Sequence, residues 1–136
     1  MHTVTMSKPV YTMFSEALNA FYWRELNRID EIKSDIIGYC TIGQWQKVKD
    51  QCDIIVKEYI KLEALNHLVR SSDCQWDKSI ESEFDESEYL FENKDKYNIL
   101  VALGSYLDNI SPESLDETKF KTFAQLMIAY GMIAEQ

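Results

Sequence analysis

Glycine and proline are scarce, four and two in 136 residues. An all-β chain of many short strands needs far more such turn residues, so the scarcity favours long helices. No Gly-rich phosphate loop, GxSxG elbow, HExxH pair or zinc-finger spacing occurs, which removes the sequence signatures of the commonest nucleotide, hydrolase and zinc sites. Histidine is limited to His2 and His67. Cys40, Cys52 and Cys74 form an odd set without a CxxC pair. Residues 1–10 lack a basic start followed by an apolar run. Together these features predict free thiols in a reducing cytoplasm. No apolar run approaches the ~20 residues of a membrane-spanning helix.

Basic residues are also in deficit, fourteen against twenty-three acidic, for a formal charge of −9. Nucleic acid and anionic membrane surfaces bind through Lys and Arg that displace counterions, so both would be repelled on average. Direct binding to either is not expected. A basic protein is the better-matched partner.

The composition, 46% hydrophobic and 27% charged, is that of a globular chain. Its length suits one domain. We expect residues 1–10 to be a flexible N-terminal segment and residues 11–136 a single all-α domain. Met6-Ser7-Lys8 also reads as a start, with the first five residues as a leader.

The clearest pattern is in residues 45–69. Trp45, Val48, Cys52, Ile55, Tyr59, Leu62 and Val69 recur at helical spacing, with Asn66 the one polar interruption. A preceding helix, from Thr12 or Ser15 to Ile37, carries Phe14, Leu18, Phe21, Tyr22, Leu26, Ile29, Ile32 and Ile36, and Gly38 is placed as its left-handed cap. The short link predicts an antiparallel helical hairpin packed stripe to stripe. A third helix is expected over residues 96–109 with Asp95 as N-cap. A fourth should start at Ser111-Pro112-Glu113 and fray near Gly131. No strand is expected. The predicted fold is an all-α bundle of about four main helices, with a long N-terminal hairpin and an acidic insertion between helices two and three.

Glu25, Glu63 and His67 are the best approach to a bundle metal site, but Glu63 and His67 are four apart rather than three and no second such pair exists. No metal or other cofactor is expected. Cys52 on the apolar stripe reads as an inert core thiol, and Cys40 and Cys74 fall in expected loops with no histidine beside them. Glu81, Glu83 and Asp85 alternate as in a calcium loop, yet no glycine follows. No catalytic site is expected.

What remains is the acidic segment 73–95, where nine acids meet two lysines, a net −7. Aromatic residues interleave with those acids. Rings anchor an interface at low entropic cost, while charges steer and orient a basic partner. The expected binding residues are Trp76, Glu81, Glu83, Phe84, Asp85, Glu86, Glu88, Tyr89 and Glu92. In size, charge and helicity the chain is similar to small immunity, antitoxin and phage anti-defence proteins. That analogy implies a non-enzymatic inhibitor of a nuclease, toxin or nucleic-acid-binding complex. The alternative is a structural or adaptor subunit acting through helix pairing, including pairing with a second copy as a homodimer.

Overall fold

The computed structural model describes residues 1–76, 78, 79, 82 and 85–136. Among them, four helices and a two-stranded sheet follow in the order β1 His2–Ser7, α1 Lys8–Thr41, α2 Trp45–Gln75, β2 Glu86–Phe91, α3 Asn93–Asn109 and α4 Glu117–Glu135, with a single 3₁₀ turn at Pro112–Ser114 before α4. The helical bundle and its long hairpin agree with the periodicity of the sequence. The small sheet was not foreseen.

Strand β1 pairs antiparallel with β2, Val4 opposite Tyr89 and Thr5 opposite Glu88. Thr3-Val4-Thr5-Met6-Ser7 alternates polar and apolar, the period of a half-buried strand. Val4 and Met6 point inward and are buried. The first ten residues are therefore not a loose extension: they form a strand and the first turn of α1, and they close one side of the core. On β2, Ser87, Tyr89 and Phe91 face in while Glu86, Glu88 and Leu90 face out. Each open edge is held by a glutamine. Gln75 at the end of α2 accepts from the Leu90 amide at 2.7 Å and donates to its carbonyl at 2.9 Å. Gln136 does the same for Thr3 at 3.3 and 2.9 Å.

The core joins Val10, Tyr11, Phe14, Ala17 and Leu18 of α1 to Leu65 and Leu68 of α2, the inner face of the sheet, Ile99, Ala102 and Leu103 of α3, and Leu126, Ala129 and Ile133 of α4. At about 1.5 Å per residue, α1 and α2 run some 45–50 Å, but α3 and α4 only some 25–30 Å. The buried residues of α1 stop at Leu18, and those of α2, apart from Val48, begin at Leu62. Beyond the body, among the described residues, the two long helices pack mainly on each other. The hairpin continues as a two-helix arm.

At the arm's tip, α1 runs through Gly38 to Thr41, and the left-handed residue is Gly43 at φ +72. Its amide and that of Gln44 reach back to the Cys40 and Tyr39 carbonyls at 3.3 and 3.0 Å. Gly38 sits inside the helix because α1 gains another turn before its carbonyls need a cap. Other ends move too. Helix α3 begins at Asn93 with Glu92 before it, and α4 begins at Glu117, where Asp116 caps by accepting from the Lys119 amide at 2.8 Å. The expected Ser111-Pro112 start forms only the 3₁₀ turn, and α4 passes through Gly131.

Candidate protein-binding surfaces

Two surfaces stand out, at opposite ends of α2. The first is the outer face of the sheet. Asp85, Glu86, Glu88 and Glu92 are exposed, as expected of a docking surface. Glu92 pairs with Lys94 at 3.3 Å. Among the described residues, Asp85, Glu86 and Glu88 have no cation within ion-pair distance. The carboxylates of Glu86 and Glu88 stand on the same face as Thr5 and Ser7 of the partner strand. Strand pairing and the Gln75 clamp hold their backbone in place, so this negative patch is presented on an ordered element rather than a tail.

The aromatic anchors fare differently. Tyr89 is fully buried, with its ring 4.9 Å from Phe14 and 6.2 Å from Tyr11. It is a core residue, not a contact for a partner, because β2 turns every second side chain inward. Trp76 is half-buried and packs edge-on against Tyr11 at 5.0 Å. Tyr11 in turn donates to the Ser72 carbonyl at 2.5 Å. Glu81, Glu83 and Phe84 lie outside the described residues.

Among the described residues the buried Tyr89 hydroxyl has no hydrogen-bond partner. Burial, with the Asp95 charge adding, pushes its pKa up to about 12; Ser71 opposes the shift but does not meet hydrogen-bond geometry. An unfolded chain loses this proton near pH 10 while the folded one keeps it. Stability from this group is therefore complete below pH 10 and declines as pH climbs towards 12. Tyr89→Phe should move the alkaline unfolding midpoint upward, and change neutral stability by no more than about 1 kcal/mol because no hydrogen bond is lost. Far-UV circular dichroism against pH checks both.

The second surface was not anticipated. Along the arm, Val48, Ile55 and Leu62 of α2 and Ile29, Ile32 and Ile36 of α1 are wholly or partly buried, and their helical spacing sets them along the seam between the two helices. To one side of this seam lies a polar strip. Glu58 pairs with Arg28 at 3.6 Å and Lys61 at 3.7 Å, and Arg28 also reaches Glu25 at 3.9 Å. At 3.6 residues per turn, Trp45, Cys52, Val56, Tyr59 and Ile60 fall on the other flank of α2, and Tyr22, Leu26, Ile37 and Cys40 on the other flank of α1. Because Arg28 and Glu58 fix which flanks share the polar side, these two share the opposite side. Tyr22 lies close enough to Tyr59 for their charges to interact, a smaller addition to the effect of Glu63, whose hydrogen bond raises the Tyr59 pKa. Ile37, Trp45, Val56, Tyr59 and Ile60 are each more than half exposed, as is Trp23 at the margin of this face. Cys52 is exposed rather than in the core, because the broad stripe of α2 exceeds what one neighbouring helix covers. Cys40 and Cys74 close the last turns of α1 and α2 and are exposed as well.

Elsewhere the chemistry is sparse. A solvent-open groove of about 850 Å³ runs between the start of α1, the end of α3 and the start of α4. In it Tyr106 donates to Glu16 at 3.1 Å, with Lys8 and Lys119 on its walls. Among the described residues that line it there is neither histidine nor cysteine. Among the described residues no three His, Cys, Asp or Glu side chains converge as a metal set, and no helix is long and apolar enough to cross a membrane. Glu25 and Glu63, weighed as metal ligands, instead face Arg28 and Tyr59.

Compared with protein-family models, curated proteins and solved structures, the chain matches none.

Proposed function

We propose that this chain is a non-catalytic binding protein that takes a basic protein partner on the acidic outer face of its sheet and thereby inhibits it, in the manner of an immunity, antitoxin or phage anti-defence protein. The observation that carries this reading is the row Asp85, Glu86 and Glu88: exposed, without cations among the described residues, and set on or beside a strand fixed by Gln75. A rigid patch of one sign accelerates encounter and orients a partner of the other sign without an ordering cost at the moment of binding. Nucleases, toxins and nucleic-acid-binding complexes present such basic surfaces, and the free thiols suit a cytoplasmic setting. Compared with the sequence expectation, the patch relies more on charge and less on rings, since Tyr89 belongs to the core.

The alternative, an adaptor that works by pairing helices, is favoured by a different observation, the uncovered apolar face of the arm. The two readings are separable by charge. Replacing Asp85, Glu86 and Glu88 together by lysine leaves the fold intact, because all three are exposed, and should weaken binding of the basic partner by about 10- to 100-fold with a strong salt dependence in the unmodified chain. Calorimetric titration of the partner against both chains reads this. Unchanged affinity would overturn the inhibitor reading and leave the adaptor.

A further inference from the structure

We propose that the apolar face of the arm is a dimer interface, closed by the same face of a second copy with the two arms antiparallel, so that the paired hairpins form an intermolecular four-helix bundle. Three features of the arm argue for this occupant.

The first is area. Ile37, Trp45, Val56, Tyr59 and Ile60 are all more than half exposed on one side of the arm. Aromatic side chains alone bury about 150–250 Å² each. Two aromatic and three aliphatic side chains more than half exposed amount to the ~300–600 Å² of the largest patch on an ordinary monomer, and the adjoining Trp23 extends the face towards the ~800 Å² per partner of a stable interface.

The second is its distribution. Apolar residues run the length of the arm, from Ile37 and Trp45 near the tip to Tyr59 and Ile60 near the body. A two-fold axis across the middle of the face therefore lays apolar tip residues of one copy on apolar body-end residues of the other. Such an interface is isologous, so the contact closes on itself. A tip-to-tip overlap would cover only half of the face.

The third is charge. Lys33 and Lys49 lie on the tip half of this face, Lys49 with its Nζ 5.6 Å over the Trp45 ring, and Glu63, hydrogen-bonded to Tyr59, lies on the body half. Antiparallel pairing brings Lys49 of one arm towards the partner's Glu63 at both ends and sets Lys33 near its own copy once, at the middle, whereas parallel pairing sets Lys33 against Lys49 twice. The strip of Arg28, Glu58 and Lys61 stays outside, already satisfied within its own arm.

Cys52 lies close to the midpoint of the exposed run from Trp45 to Glu63, so it reports the geometry. Packed helices approach to about 8–10 Å, which places Cys52 near its own copy. Cys40 at the tip and Cys74 at the body end would be tens of ångströms from theirs. This inference goes beyond the binding of a basic partner: it uses the other end of α2, and either can fail without the other.

Sedimentation equilibrium of the purified full chain should give twice the 16.0 kDa chain mass, and a short bis-maleimide should link the dimer covalently. Cys52→Ser should abolish that link, while Cys40→Ser and Cys74→Ser keep it. Val56→Glu, at an exposed site, should keep the helical spectrum and raise the dimer dissociation constant at least 100-fold. A monomer at all concentrations would overturn the proposal and leave the face to a different protein. Links through Cys40 or Cys74 in place of Cys52 would overturn the antiparallel arrangement, and a Val56→Glu dimer of unchanged affinity would place the contact elsewhere.

Discussion

Val4→Asp is expected to unfold the protein or cost more than about 4 kcal/mol, whereas Thr5→Lys, one residue on, is expected to change stability by less than about 0.5 kcal/mol. The contrast follows from a period of two. Val4 is buried opposite Tyr89, so an aspartate there must leave water for an apolar core. Thr5 faces out opposite Glu88, so a lysine stays solvated beside a carboxylate. Urea unfolding of the two variants against the unmodified chain measures both values. Equal, small effects would mean that the first strand is not part of the core. A large effect at Thr5 and none at Val4 would mean that the register is slipped by one residue and every inward side chain is misassigned.

Phe14→Ala should cost about 3–5 kcal/mol, a large part of the 5–15 kcal/mol that stabilises an ordinary domain. Phe14 is fully buried where α1, the sheet and the end of α2 converge, with Tyr89 at 4.9 Å and Tyr11 at 6.1 Å. Removing the ring deletes contacts on several elements at once, and the helices around it cannot all collapse into the space. Ile37→Ala, at the exposed end of the same helix, is the internal comparison and should cost little in the isolated chain. A small loss at Phe14 would show that the core is centred elsewhere.

The helices were legible because their apolar spacing of three and four persists over many turns, and tertiary packing did not override it. Their ends were less legible. Gly38 and Gly43 are both plausible caps by residue type, and only the continuation of α1 through another turn chooses Gly43. The sheet was hidden for two separate reasons. The alternation of Thr3 to Ser7 is plain, but it lies in a segment read as a leader. The segment Glu86 to Phe91 runs polar and then apolar, so that Ser87 inside and Leu90 outside break the pattern a half-buried strand should show. Tyr89 was read as a docking residue for the same reason: its neighbours in sequence are acids, while its neighbours in space are Phe14 and Tyr11.

The arm was legible in part. By spacing alone, seven apolar positions over residues 45–69 form one stripe facing one neighbour. A helix meeting a single partner covers a narrow seam, here Val48, Ile55 and Leu62, so the remaining members had to face something else or water. Counting the width of the stripe, rather than its length, would have exposed Trp45, Cys52 and Tyr59 as candidates. The acids of the outer sheet face were found by composition alone, since charge concentration needs no knowledge of register.

The central claim is that a basic protein is held by charge on the acidic sheet face. It is tested most directly by a pull-down from native lysate, with the unmodified chain and the Asp85, Glu86 and Glu88 lysine variant side by side at low and high salt. The account predicts a basic nuclease, toxin or nucleic-acid-handling protein on the unmodified chain at low salt, absent from the variant and released at high salt. Recovery of the same proteins by both chains regardless of salt, or of an acidic protein alone, would contradict it.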